Sequence, residues 1–407
     1  MFLIKKTQNL ELISVPENRF FMSILEALII LSSIEGLGVR TLHKLISAFK
    51  FPQEILQCKT VDQLRCKVNI SIDLADQILL ASRNINPVNV IEECQQEGVS
   101  IISIFDSLYP EKLSEIYDPP LLLFIKGNLL PQDNTAFSIV GSRRASVYGK
   151  QMALRFASEL ASSKITVVSG LARGIDAAAH EGALRGGGRT LAVLGTGVDI
   201  VYPRENRKIY EAVIESGALI SEYPIGTEIM PFRFPQRNRI IAGLSLGILV
   251  VEAGHKSGSL ITARMGADEG REIYVIPGQI DSPFSHGTNH LIQEGARLVT
   301  STHQIIEDLL PMMNVSGISP LAHGCDTPQL IKESVLQVRS TLTAEENCVL
   351  NCISKEPENV ENIRKTADFD LNKTLALLTR LEMGGHISRV WGGGFRKCDV
   401  YLSCKSK

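Results

Sequence analysis

Five short segments of this 407-residue chain carry glycine or arginine in the pattern of an anion-binding turn. The first is Val140-Gly141-Ser142-Arg143-Arg144. Gly141 lets the backbone approach a ligand, the following N–H groups and the Ser142 hydroxyl can donate to an anion, and Arg143 and Arg144 add charge. The second runs Ser169-Gly170-Leu171-Ala172-Arg173-Gly174-Ile175-Asp176, with Arg173 at its tip. A third, Leu194-Gly195-Thr196-Gly197-Val198-Asp199, leads to Tyr202-Pro203 and Asn206. The fourth, Phe234-Pro235-Gln236-Arg237-Asn238-Arg239, pairs an aromatic with Arg-x-Arg, which can stack a base and neutralise phosphates. Its competing reading makes Phe234 a core anchor and pairs Arg237 with Glu222 or Glu252. The fifth, Glu252 to Ser259, sets Lys256, Ser257 and Ser259 around Gly258 as a further anion nest. In any single turn the glycine can merely relieve crowding between strand and helix; recurrence of the pattern favours an anion site.

Other chemistries lack their residues. The chain has neither the Gly-x-Gly-x-x-Gly dinucleotide fingerprint nor a Gly-x-x-x-x-Gly-Lys-Ser/Thr phosphate loop, and it has no Gly-x-Ser-x-Gly elbow. His286 and His290 lie four apart with Gly287 to Asn289 and no Glu between them, and the eight cysteines form no Cys-x-x-Cys pair. Cys348 and Cys352 share a helix face but have no matching pair, so no metal, no cofactor and reduced thiols are expected. Asp176 and His180, an i, i+4 pair, read as a local structural hydrogen bond. Asp199 and Glu252 read as partners that orient arginines. The formal charge of −2 excludes a bulk polycation but not a local basic groove. Residues 137–310 hold 18 Lys+Arg against 17 Asp+Glu, and 14 of those 18 cations are Arg.

The elements that must hold these turns follow from periodicity. Short buried-type strands are predicted at 137–141, 165–170, 190–195, 219–222, 247–252 and 272–277. Helices are predicted between them at 147–162, 175–185, 203–216, 235–244 and 260–269. Alternation at this pitch gives an α/β fold: a doubly wound, mostly parallel sheet that brings the turns to its carboxyl edge. Residues 1–95 form a Leu/Ile-rich helical segment, and residues 96–310 form the sheet domain. In the first, Ile34-Glu35-Gly36-Leu37-Gly38 joins two helices in a helix–hairpin–helix pattern. Residues 311–340 read as a linker. The tail, 341–407, shows helices at 343–354, 358–367 and 370–383, then a hairpin (387–391 and 396–402) closing on Gly392-Gly393-Gly394, a winged-helix pattern. The most apolar stretch, 24–31, is too short to span a bilayer, and no signal peptide precedes it, so a soluble cytoplasmic chain is expected.

Together these residues resemble the DprA/Smf (DNA processing protein A) family of recombination mediators. The resemblance rests on Asp118-Pro119-Pro120, Gly141-Ser142-Arg143, Ser169-Gly170-x-Ala172-x-Gly174-Ile175-Asp176 and Ala192-Val193-Leu194-Gly195-x-Gly197-x-Asp199. It continues through Phe234-Pro235-x-Arg237-Asn238-Arg239-Ile240-Ile241, Val251-Glu252-Ala253, Ser257-Gly258-Ser259 and Gly287-Thr288-Asn289. It implies a Rossmann-like sheet flanked by a SAM-like helical front and a winged-helix-like tail. It further implies a cytoplasmic, non-enzymatic homodimer that binds single-stranded DNA and loads RecA during natural transformation. Carried over, the DNA groove falls on Gly141 to Arg144, Gly170, Arg173 and Gly174, Phe234, Arg237, Asn238 and Arg239, and Lys256 to Ser259. Gly254-His255-Lys256 lies in a variable stretch of the family. Two other classes compete. One is a phosphoribohydrolase of the same superfamily, although its Pro-Gly-Gly-x-Gly-Thr loop is missing here; the other is a duplex-binding regulator acting through the tail.

Overall fold

A computed structural model describes residues 22–315, 344–353, 358–367, 369–383, 387–389 and 394–397. The chain divides between Pro320 and Leu321 into two compact units. In the first, short β-branched runs make strands of which the central ones are buried on both faces, as parallel sheets covered by helices require. The strands are β1 (Val99–Ser103), β2 (Leu122–Gly127), β3 (Ala136–Val140), β4 (Thr166–Ser169), β5 (Thr190–Val193), β6 (Ala218–Ser221), β7 (Gly247–Val250), β8 (Glu272–Val275) and β9 (Arg297–Leu298). They form one sheet in the order β1-β2-β6-β5-β4-β3-β7-β8-β9. From β6 to β9 the pairing is parallel, whereas β2 runs antiparallel to both β1 and β6. The stretch β5-β4-β3-β7-β8-β9 is the doubly wound, Rossmann-like order, and the chain reverses direction across the sheet between β3 and β7. All six predicted strands are present. The antiparallel pair β1–β2 and the edge strand β9 are additions that local periodicity did not reveal.

Among the described residues six helices precede the sheet: α1 (Ile24–Ser32), α2 (Val39–Phe49), α3 (Pro52–Leu56), α4 (Val61–Arg65), α5 (Ile72–Asn84) and α6 (Pro87–Gln96). α1 is capped by Ser23 and Glu26 in a reciprocal box and buries Ala27 to Leu31. Its core is shared with the sheet: Leu28, Ile30, Leu42 and Leu45 belong to one cluster with Phe124, Leu194, Tyr210 and Leu219. Eight helices accompany the strands: α7 (Glu111–Ser114), α8 (Val147–Ser162), α9 (Ile175–Arg185), α10 (Arg207–Ser216), α11 (Arg233–Gly243), α12 (Gly258–Asp268), α13 (His286–Gln293) and α14 (Thr302–Val315). α8, α9 and α14 cover one face through Phe156, Leu160, Ala179, Ile305 and Leu309. α7, α11, α12 and α13 cover the other through Leu113, Ile240, Ile241, Ala263 and Leu291. α14 continues through Pro311 to Val315, so residues 311–315 are helical, where the sequence suggested linker. Proline forfeits one i→i−4 bond, and the burial of Ile305 and Leu309, six and two residues earlier, holds the helix. The rest of the expected linker lies outside the described residues.

The second unit contains α15 (Ala344–Asn351), β10 (Glu358–Asn359), α16 (Val360–Ala367), α17 (Leu371–Met383), β11 (Ile387–Arg389) and β12 (Gly394–Lys397). Its antiparallel sheet has the order β10-β12-β11, and Leu350, Ile363, Leu378, Leu381, Ile387 and Phe395 close the core. This is the winged-helix pattern with one added strand, β10. The expected hairpin connection and the residues after Lys397, including Cys398 and Cys404, lie outside the described residues, as does Cys325.

Candidate nucleic-acid interface

Ligands of doubly wound sheets bind beyond the carboxyl ends of the strands, where the strand order reverses. Here that crevice lies between the loops after β3 and β7. The two loops are tied together: the Ser142 N–H donates to the Glu252 carbonyl at 2.8 Å. The buried Glu252 carboxylate accepts from the Ser146 N–H at 2.9 Å and from the Ser146 hydroxyl at 2.5 Å. Ser146 in turn caps α8 through the Gly149 N–H at 2.9 Å. Glu252 therefore secures a helix start and does not orient an arginine, as the sequence reading expected. Arg143 and Arg144 are left exposed, with no carboxylate partner among the described residues. The Arg143 guanidinium sits 5.4 Å from the Phe234 ring centre.

The loop after β4 is built differently. Leu171 is buried with φ of 54°, a left-handed conformation that costs a branched residue energy unless its surroundings enforce it. The enforcement is visible. The Leu171 N–H donates to His180 Nε2 at 3.3 Å, and Asn206 Nδ2 donates to the Leu171 carbonyl at 2.9 Å. Because Nε2 accepts, Nδ1 carries the proton and donates to Thr190 Oγ1 at 2.7 Å, and that hydroxyl donates onward to the Val167 carbonyl at 2.8 Å. Burial, helped by Arg237, pulls the His180 pKa down to about 3, so the ring is neutral. The Asp176 carboxylate bonds the backbone of Gly170 and Ala172; burial pushes its pKa up, against the pull of Arg237. Asp176 and His180 thus each hold the loop backbone, where a bond between the two was expected. Arg173 is paired with Glu205 at 2.5 Å. This loop's own carboxylate occupies the backbone donors an anion would use, and its cation is already neutralised.

α11 supplies the aromatic. Gly195 provides the seat: a Cβ there would lie 3.2 Å from the Phe234 ring. Phe234 is half-buried and packs against Tyr202, with ring centres 5.4 Å apart, while Arg143 covers it from the other loop. Tyr202 was not among the residues expected at the site; its signal was the Tyr-Pro step that follows the third turn. Arg237 and Arg239, expected in the groove, are turned inward. Arg237 is 3% exposed, and its Nη1 donates to the Val193 carbonyl. Gly170 makes room for it, since a Cβ there would fall 1.9 Å from the guanidinium. Burial lowers the Arg237 pKa to about 10, which leaves it protonated at neutral pH. Arg239 pairs with Glu222 and lies 3.9 Å from Asp118. The ion pair anticipated for Arg237 is therefore made by Arg239, one helical half-turn on. Asn238 is half-buried between them. Asp199, expected to orient an arginine, accepts instead from the Gly226 N–H at 3.0 Å through both oxygens.

In the fifth segment Ser257 caps α12, and its hydroxyl is 2.7 Å from that of Ser259, which is buried. Gly258 and Lys256 are exposed, and Lys256 has no carboxylate partner among the described residues. The residues that face outward together are thus Arg143, Arg144, Phe234 and Tyr202, with Lys256 on the adjoining loop. No cluster of His, Cys, Asp or Glu capable of holding a metal occurs among the described residues, and no described helix is long and apolar enough to cross a membrane.

Fold and edge together define a doubly wound domain with a cationic, aromatic-bearing carboxyl edge. Residues 100–310 match the family described as DNA recombination-mediator protein A. DNA processing protein DprA of Streptococcus pneumoniae is 47% identical over 206 residues, covering 51% of this chain and 73% of that protein. Protein Smf of Escherichia coli K12 is 37% identical over 303 residues, 74% of this chain and 78% of that one. The solved structure of the S. pneumoniae protein superposes with a TM-score of 0.63 at 37% identity, covering 70% of this chain and 99% of its own. The chain belongs to the DNA recombination-mediator protein A (DprA/Smf) family.

Proposed function

We propose that this protein is a non-enzymatic recombination mediator that binds single-stranded DNA along the carboxyl edge of its sheet and passes the strand to RecA. In this reading the protein acts as a cytoplasmic homodimer, and its strands are those taken up in natural transformation. One observation carries the proposal: Arg143, which makes no ion pair among the described residues, lies over the half-buried Phe234 ring at the carboxyl edge. A free guanidinium beside an aromatic face suits a phosphate and an unstacked base, and a paired duplex offers no such base. Arg144 and Lys256, both exposed, extend the charge. The non-enzymatic part rests on where the acids go. Asp176, Asp199 and Glu252 are each consumed by backbone or hydroxyl groups, so none is poised for proton transfer at this edge.

Competition between single-stranded and duplex oligonucleotides for the full chain tests the reading. Preference for the single strand, with affinity falling steeply in salt, is the expected result. Equal or stronger duplex binding sinks it, and release of free base from AMP or CMP sinks the non-enzymatic part. A filament-assembly assay with RecA tests the hand-over, which requires faster assembly when this protein is present.

A further inference from the structure

We infer that a second base-stacking platform, formed by Tyr223, Arg233 and Phe232, continues the single-strand path from Phe234 toward the β6 side of the edge. The inference rests on the reading that the Arg143–Phe234 edge holds single-stranded DNA.

Arg233 opens α11, and its guanidinium lies 4.9 Å from the Tyr223 ring centre and 5.7 Å from that of Phe232. Its polar anchor is the Glu228 carbonyl, which accepts from Nη1 at 2.7 Å; no carboxylate neutralises it among the described residues. Tyr223 is held in place by its hydroxyl, 3.1 Å from Gln236 Oε1. Phe232 is 57% exposed, so much of the side chain is open to a ligand. The first turn of α11 therefore sends Phe234 to one stack, with Tyr202 and Arg143, and Arg233 to another, with Tyr223 and Phe232.

The two stacks follow the strand order. Arg143 leaves β3, Gly195 beneath Phe234 leaves β5, and Tyr223 leaves β6. From β3 to β6 is three strand spacings, about 14 Å, a span of only a few nucleotides but more than a dinucleotide covers. The chemistry favours nucleic acid. An uncompensated cation inside an aromatic stack offers a phosphate contact and a π-face at one place, a combination that accepts any base. Ile229 and Met230, each 43% exposed beside Phe232, form an apolar lip that a protein partner could use instead, and the test separates the two.

The full-length chain is titrated with a fluorescent dinucleotide, too short to bridge about 14 Å, and with an oligonucleotide of about 16 nucleotides, within the usual range of single-strand site sizes. Phe232→Ala is expected to weaken the longer strand about tenfold and leave the shorter one unchanged. Arg233→Ala is expected to do the same and to reduce the salt slope for the longer strand by about 0.7. Arg233→Lys should restore that slope without restoring the lost affinity, because a lysine keeps the charge but not the planar stack. Arg143→Ala, the control for the underlying reading, should weaken both lengths. Unchanged binding of both lengths by Phe232→Ala and Arg233→Ala overturns the second platform while leaving the first intact. Equal weakening of both lengths also overturns it, as does a change in self-association alone. If the wild-type chain holds neither length, the underlying reading fails, and this one with it.

Discussion

Two loops leave adjacent parallel strands with similar ingredients: Gly141-Ser142-Arg143-Arg144 after β3 and Gly170-Leu171-Ala172-Arg173 after β4. Each enters a helix, and the two touch, with the Ile175 N–H donating to the Ser142 carbonyl at 3.2 Å. Their electrostatic states nevertheless differ. Behind the first, Glu252 is spent on Ser146, and neither arginine makes an ion pair among the described residues. In the second, Asp176 holds the backbone, His180 holds Leu171, and Glu205 holds Arg173. The difference lies in where the nearest carboxylate is directed. In the proposed reading, a turn of this composition serves as an anion site when its arginines make no ion pair with a nearby carboxylate. The second loop reads as scaffold for the first.

Perturbing the scaffold should produce the largest effects. The His180 pKa of about 3 in the folded chain lies below its ordinary 6.5, so the folded state binds one proton fewer between those values. His180 therefore contributes fully above pH 6.5, and stability should fall by about 1.4 kcal/mol per unit as pH drops toward 3. Denaturant unfolding at a series of pH values should show that slope, and His180→Gln should remove it. Gly170→Ala drives a methyl into the Arg237 guanidinium and should cost about 1–3 kcal/mol, read as a lowered thermal midpoint.

Smaller effects test the binding side. Arg143→Ala should weaken single-strand affinity about tenfold and reduce the salt slope by about 0.7, whereas Arg173→Ala should change little while Glu205 is present. If the two variants lose equal affinity, the contrast between the loops is wrong. Glu205→Ala sharpens it from the other direction. Releasing Arg173 should give a severalfold gain in affinity and raise the salt slope by about 0.7, measured by the same titration.

Much of the fold was legible because strand and helix periodicities are local. The predicted helices 147–162 and 175–185 coincide with α8 and α9, and all six predicted strands are present. The strands β1 and β2 were missed because a short apolar run does not reveal its antiparallel partner. For the site, Arg143, Arg144, Phe234 and Lys256 could be chosen from composition and position within a turn. Arg237 and Arg239 could not be told apart from them. Both share the helix start with Phe234, and only packing shows that Val193, Gly170 and Glu222 draw them inward. Arg233, adjacent in sequence to the chosen aromatic and to Phe232, was overlooked because nothing local announces that the Tyr223 ring comes to it from the β6 loop.

By itself the sequence determined the alternation of strands and helices, the gathering of glycine-bearing turns at one edge, and a nearly neutral total charge rich in arginine. These properties follow from neighbours along the chain, where backbone geometry and the 2.0 and 3.6 periodicities act. Which arginines remain free was decided only by the tertiary structure. The charge state of a turn depends on carboxylates that arrive from other strands: Glu252 for the β3 loop, Glu205 for Arg173 and Glu222 for Arg239. Electrostatic pairing acts through space at a few ångströms, and those distances are set when the sheet closes and the loops meet.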